Sequence, residues 1–326
     1  MNLKLPFKIH VWYFLLSAVL VLLYYIKVVG PADFNSPSSM NAVLSFETAK
    51  PYQFRLLMPF LFMIFTPLTF IPEKIAYSIY SIFIVYSLLI IYKGLLCKYF
   101  DNERIVYYYS PVILYPMLWN YVILNQSFQF YDFTAVLIFT IGLYFIVTEN
   151  FKGLLITFIV GIINKESAAY LAFSYLFFNY KKILTWKVIL NVFILAVIFT
   201  AIKISLNLIF ESNPGGTIEI TVNENIRILS NALGNRIFMK NLGLNFGALY
   251  VFTILLFITG RWKKFFDRRL VFSNLAIVPF LIFGFCIVYY TEVRVYAELI
   301  PMVTTLFLIY LSTIKRFNLT ELKRSG

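Results

Sequence analysis

Residues 55–71 read RLLMPFLFMIFTPLTFI, and how they are threaded decides the topology on either side. The stretch is apolar but barely reaches the length needed to cross about 30 Å of hydrocarbon as a helix. Pro59 and Pro67 each remove a backbone donor, and a broken ladder is tolerated at membrane depth only where protein or water surrounds it. The segment is therefore expected to be an interfacial or re-entrant helix. Counted as a crossing, it would invert everything before it or everything after it.

Outward from that stretch, the chain alternates between apolar runs and short charged connectors. Hydrophobic residues make up 61% and charged residues 13% of 326 positions, with a mean hydropathy of +0.81. A soluble domain is about half apolar and a quarter charged. The runs have helix-crossing length, and the short alternating segments of a closed barrel are not evident. The fold class is all-α: a polytopic transmembrane helical bundle with about ten spanning helices. The crossings are expected near 11–29, 75–92, 104–122, 131–148, 187–209, 243–260, 270–290 and 297–313, with two short helices at 153–164 and 167–180. Residues 1–326 then form a single integral membrane domain, with a first outer loop at 30–74 and a second at 210–242.

The charges support one orientation. Under this layout 18 of the 28 basic residues fall in segments on the same side, including Lys93, Lys98, Lys181, Lys182, Lys263, Lys264, Arg268 and Arg269. Basic connectors mark the cytoplasmic face, so both termini are expected there. The net charge of +13 is then accounted for by loops beside anionic lipid, and a nucleic-acid partner is not expected. Lys4 and Lys8 precede an apolar stretch without a small-residue cleavage site, so that stretch reads as a retained first helix. Cys97, Cys286 and the lone His10 show no metal-ligand spacing. Nucleotide-binding and hydrolase signatures such as the phosphate loop, HExxH and GxSxG are absent from the sequence.

The candidates for chemistry lie on or near the opposite side. Asp33, in GPADFNSP, is either a turn residue or a carboxylate at the mouth of an outer cavity, able to take a proton or hold a divalent metal. Arg55 either snorkels to headgroups or offers a fork to a phosphate. Asp132 opens a helix, where dipole and capping suffice to explain a carboxylate. Lys165 and Glu166 stand inside a long apolar stretch; such residues face protein or water, with an internal ion pair the simplest arrangement. Arg294 and Glu298 are four apart, so on an α-helix they would pair on one face. The abundant Phe and Tyr read as lipid-facing and interfacial packing.

Taken together, Asp33 after the first helix, FRLLMP at 54–59, YDF at 131–133, NKES at 164–167 and RVYAELIP at 294–301 resemble bacterial polytopic glycosyltransferases of the GT-C superfamily. The resemblance implies a multi-pass protein of the bacterial cytoplasmic (inner) membrane. It also implies sugar transfer from a polyprenyl-phosphate-linked donor at the extracytoplasmic face, with a divalent metal in some members. Asp33 would be the base, Arg55 and Lys165 phosphate contacts, and Glu298 structural or substrate-positioning. Two features of the family, a second acid beside Asp33 and a large domain after the last helix, are not expected from this sequence. A polysaccharide polymerase, a flippase-like protein or a secondary transporter would use similar residues.

Overall fold

The computed structural model describes residues 6–32, 34, 40–65, 71–124, 128–216, 221–232, 240, 243–287 and 292–314. Among them every regular element is helical. Among the described residues five helices are long and apolar enough to cross a membrane: Phe7–Val29, Glu73–Leu96, Trp186–Ile209, Arg268–Ile287 and Arg294–Ser312. The two 24-residue helices each extend about 36 Å. Shorter apolar helices, Asp132–Val147, Phe151–Asn164 and Asn245–Ile258, complete the set.

Local chemistry sets where several of these begin. Pro6 and Pro72 stand just before Phe7 and Glu73, where a helix needs no donor. Asn102 and Asn150 accept hydrogen bonds from the backbone N–H groups of Ile105 and Gly153, satisfying orphan donors of the next helix.

The bundle has two distinct ends. At one end Lys93 meets Glu103 at 2.5 Å, Arg269 meets Glu149 at 2.9 Å, and Arg261 donates to the Thr313 carbonyl. These contacts join the basic connectors. At the other end Lys74 donates to the Gly30 carbonyl and Tyr80 bonds Thr134. There too Asn213 donates to the carbonyls of Phe46 and Thr48, and the Lys50 N–H donates to Pro214 O. Residues 46–50 of the first long connector therefore dock on residues 213–214 of the second.

Within the decisive stretch the described residues form a nine-residue helix, Leu57–Phe65, about 14 Å long. Pro59 occupies its first turn, where the missing donor is tolerated; Pro67 lies outside the described residues. The segment 103–123 is helical throughout but changes pitch around Pro111 and Pro116, from α through 3-10 and back to α, and ends as a π turn. Further along, Phe151–Asn164 ends at Lys165, which is extended (φ −165°, ψ 137°), and a 3-10 turn leads into Leu171–Phe178. The turn folds back closely: a Cβ on Gly161 would lie 2.6 Å from that of Ala168. In the second long connector Val222–Ala232 is helical, with Asn225 donating to the Phe285 carbonyl.

The helix expected over 243–260 does not begin regularly. Phe246, Gly247 and Ala248 all have positive φ, and a regular α-helix starts only at Tyr250. The Asn120 side chain holds this start, accepting from the Phe246 N–H at 2.7 Å and donating to Asn245 at 2.9 Å. A Cβ on Gly247 would overlap the rings of Tyr115 and Trp119. Gly247→Ala is expected to cost about 2–4 kcal/mol, from left-handed strain plus overpacking. Gly260→Ala, also left-handed but with open space around it, should cost about 1 kcal/mol. Comparing the two by denaturant titration in detergent checks the packing; equal losses would mean that the rings do not crowd Gly247.

Candidate functional site

Five distant parts of the chain bring ionisable side chains together at the end where the long connectors meet. Lys203 comes from the regular helix Trp186–Ile209, and the other four stand at helix ends, breaks or 3-10 turns. Arg55 follows the 3-10 turn Tyr52–Phe54. Asp132 opens its helix immediately after Tyr131. Lys165 and Glu166 sit at the extended break between two short helices. Arg294 and Glu298 lie on the 3-10 helix Val293–Leu299, which leads into Ile300–Ser312.

The ion pairs interlock. Lys165 Nζ lies 2.5 Å from Glu298 Oε1, with both side chains enclosed, and Ser167 Oγ donates to the same oxygen at 2.9 Å. Glu166 is approached from two sides, by Arg55 Nε at 3.7 Å and by Lys203 Nζ at 3.4 Å. Arg294 lies 3.8 Å from Asp132 and 3.0 Å from Glu292. Four cations thus face four carboxylates, which lets charge sit in a poorly hydrated interior.

Tyr131 is the hinge of this set. Its buried ring lies between the Arg55 guanidinium, 4.3 Å from the centroid, and the Lys165 ammonium at 5.6 Å. Arg55 also donates to the Tyr131 hydroxyl, and Asn164 to its carbonyl. Such cation–ring contacts strengthen when water is excluded. Phe54 lies beneath the Lys203 ammonium at 4.4 Å.

Some polar capacity is left over. Neither carboxylate oxygen of Asp132 accepts a hydrogen bond from the described residues, and the same holds for Glu298 Oε2 and Asn164 Oδ1. A cavity of about 10 Å³, lined by Asn164, Lys165, Ser167, Ala168 and Glu298 among others, is close to the size that admits one water molecule. Among the described residues no group of three or more His, Cys, Asp or Glu side chains is arranged to hold a metal ion.

The structure thus gathers Arg55, Asp132, Lys165, Glu166, Arg294 and Glu298, and corrects two expected pairings. Lys165 and Glu166 do not pair with each other, because the extended backbone at Lys165 sends adjacent side chains to different partners. Arg294 and Glu298 do not pair either: the segment is 3-10, and residues four apart do not stack on its face. Asp33 lies outside the described residues. Its neighbour Phe34 is buried and stacks on Phe128 at 4.7 Å, four positions before Asp132. Sequence reasoning did not pick out Lys203, Tyr131 or Ser167 as site residues. Lys203 carried a signal, since a lone lysine deep in an apolar helix must find a partner or water.

Comparison of the chain with protein-family models, curated proteins and solved structures finds no match in any of the three.

Proposed function

We propose that this chain is a multi-pass membrane glycosyltransferase of the GT-C type, with about ten crossings and cytoplasmic termini. It would act in a bacterial cytoplasmic membrane on a polyprenyl-phosphate-linked sugar at the extracytoplasmic face. The observation that carries the reading is the convergence of Arg55, Lys165, Lys203 and Arg294 with Asp132, Glu166, Glu292 and Glu298. An interior set of this size is costly to a membrane bundle and marks a functional site.

In this reading Asp33 accepts the proton of an acceptor hydroxyl, whose oxygen attacks the anomeric carbon. The bond from that carbon to the phosphate oxygen breaks, and the lipid phosphate leaves with the electron pair. Fixed cations stabilise the charge that develops on it. Arg55 suits that task because its planar fork matches a phosphate and its side chain is partly open. Lys165, held by Glu298 and nearly enclosed, orients the site from behind.

The test is turnover. Protein in nanodiscs, given a polyprenyl-phosphate-linked sugar and a hydroxyl acceptor, should release polyprenyl phosphate. Solute uptake in proteoliposomes with no such release would favour a transporter, the reading supported by the broken helix at Lys165. Topology is checked separately. Single cysteines placed at Asn213 and Lys263 should label from opposite membrane faces, and labelling from one face would overturn the layout.

A further inference from the structure

We infer that Glu166 is a built-in stand-in for the phosphate group of the substrate, holding Arg55 and Lys203 in place until the ligand displaces it. The inference rests on the proposed anionic substrate and goes beyond it by giving one acidic residue an opposing role. Within the interlocked set, the Arg55–Glu166–Lys203 group stands apart from the buried pairs. Its side chains keep 13%, 27% and 15% of their exposure, against 7% and 1% for Lys165 and Glu298.

The geometry of the group is that of two donors around one anion. Each Glu166 oxygen faces a different cation, Oε2 towards Arg55 and Oε1 towards Lys203. Both distances exceed those of well-formed charge-assisted hydrogen bonds, about 2.7–2.9 Å. The pairs are thus looser than the Lys165–Glu298 contact at 2.5 Å. The cations are braced independently of Glu166: Arg55 by Tyr131 and Tyr52, Lys203 by the Phe54 ring. A phosphate carries more charge and more acceptor oxygens than a carboxylate, and it would compete for the same two donors. Glu166 would then keep the cations paired in the empty site and be displaced on binding. Removing its charge should strengthen ligand binding, the reverse of what a direct contact residue does.

The experiment measures binding of inorganic pyrophosphate, and of a long-chain isoprenyl phosphate in zwitterionic nanodiscs, to the full chain and to Glu166→Gln, Glu166→Asp and Arg55→Gln. Glu166→Gln should bind about tenfold tighter, the order expected from losing one competing charge-assisted contact. Glu166→Asp, which keeps the charge but draws it back, should fall between and serves if the Gln variant does not fold. Tightening for both probes assigns the site to any phosphate group; tightening for the isoprenyl phosphate alone assigns it to a lipid headgroup. If Arg55→Gln loses binding but neither Glu166 variant gains it, the stand-in role is overturned and the anionic-substrate reading stands. If Arg55→Gln binds as the unaltered chain does, both fall.

Discussion

Lys165→Met is expected to destabilise the protein by about 3–5 kcal/mol, because it strands the Glu298 carboxylate in a buried position. Glu298 is 1% exposed and its Oε2 accepts no hydrogen bond from the described residues. Among the described residues, Lys165 and Ser167 are the groups that stabilise its charge at short range. The reverse change, Glu298→Leu, should cost a similar amount by leaving the ammonium uncompensated. The double variant Lys165→Met/Glu298→Leu should recover most of the loss, since a buried pair replaced by apolar groups of similar volume is often neutral or stabilising. A double-mutant cycle of denaturation in detergent isolates the coupling. A single-variant loss below about 1 kcal/mol, the scale of exposed pairs, would mean that the contact is hydrated rather than buried.

Asp33→Asn is expected to have the largest effect on activity, a loss of at least about a hundredfold in kcat, the scale of a missing general base. Protein abundance and melting temperature should stay unchanged, because Asn keeps the size and turn preference of Asp. Its chain neighbour Phe34 packs against Phe128, in the segment that leads to Tyr131 and Asp132. Retained transfer would remove Asp33 from the role and turn attention to Asp132. That carboxylate is enclosed beside Arg294 and is better placed to orient charge than to meet an acceptor hydroxyl.

The class of the molecule was legible in the chain because it depends on one-dimensional quantities. Apolar runs of crossing length, with proline and basic residues at their borders, specify helices in hydrocarbon whatever their neighbours are. Charges stranded inside apolar stretches, Lys165 and Glu166 foremost, could be singled out from solvation cost alone. The start of the 243–260 helix could not be read, since it is bonded to Asn120 in a distant segment.

Partnership was decided only in three dimensions. Lys165 chose Glu298 over its neighbour because one extended residue between two helices points consecutive side chains apart. Arg294 turned to Asp132 because its segment winds as 3-10 rather than α. Lys203 entered the set because a long helix delivers it beside Glu166. Sequence patterns dictate what a stretch of backbone must become in an apolar solvent, a local matter of length and hydrogen bonding. Which charges then neutralise one another depends on distances set by the packing of helices far apart in the chain, and those distances exist only in the folded bundle.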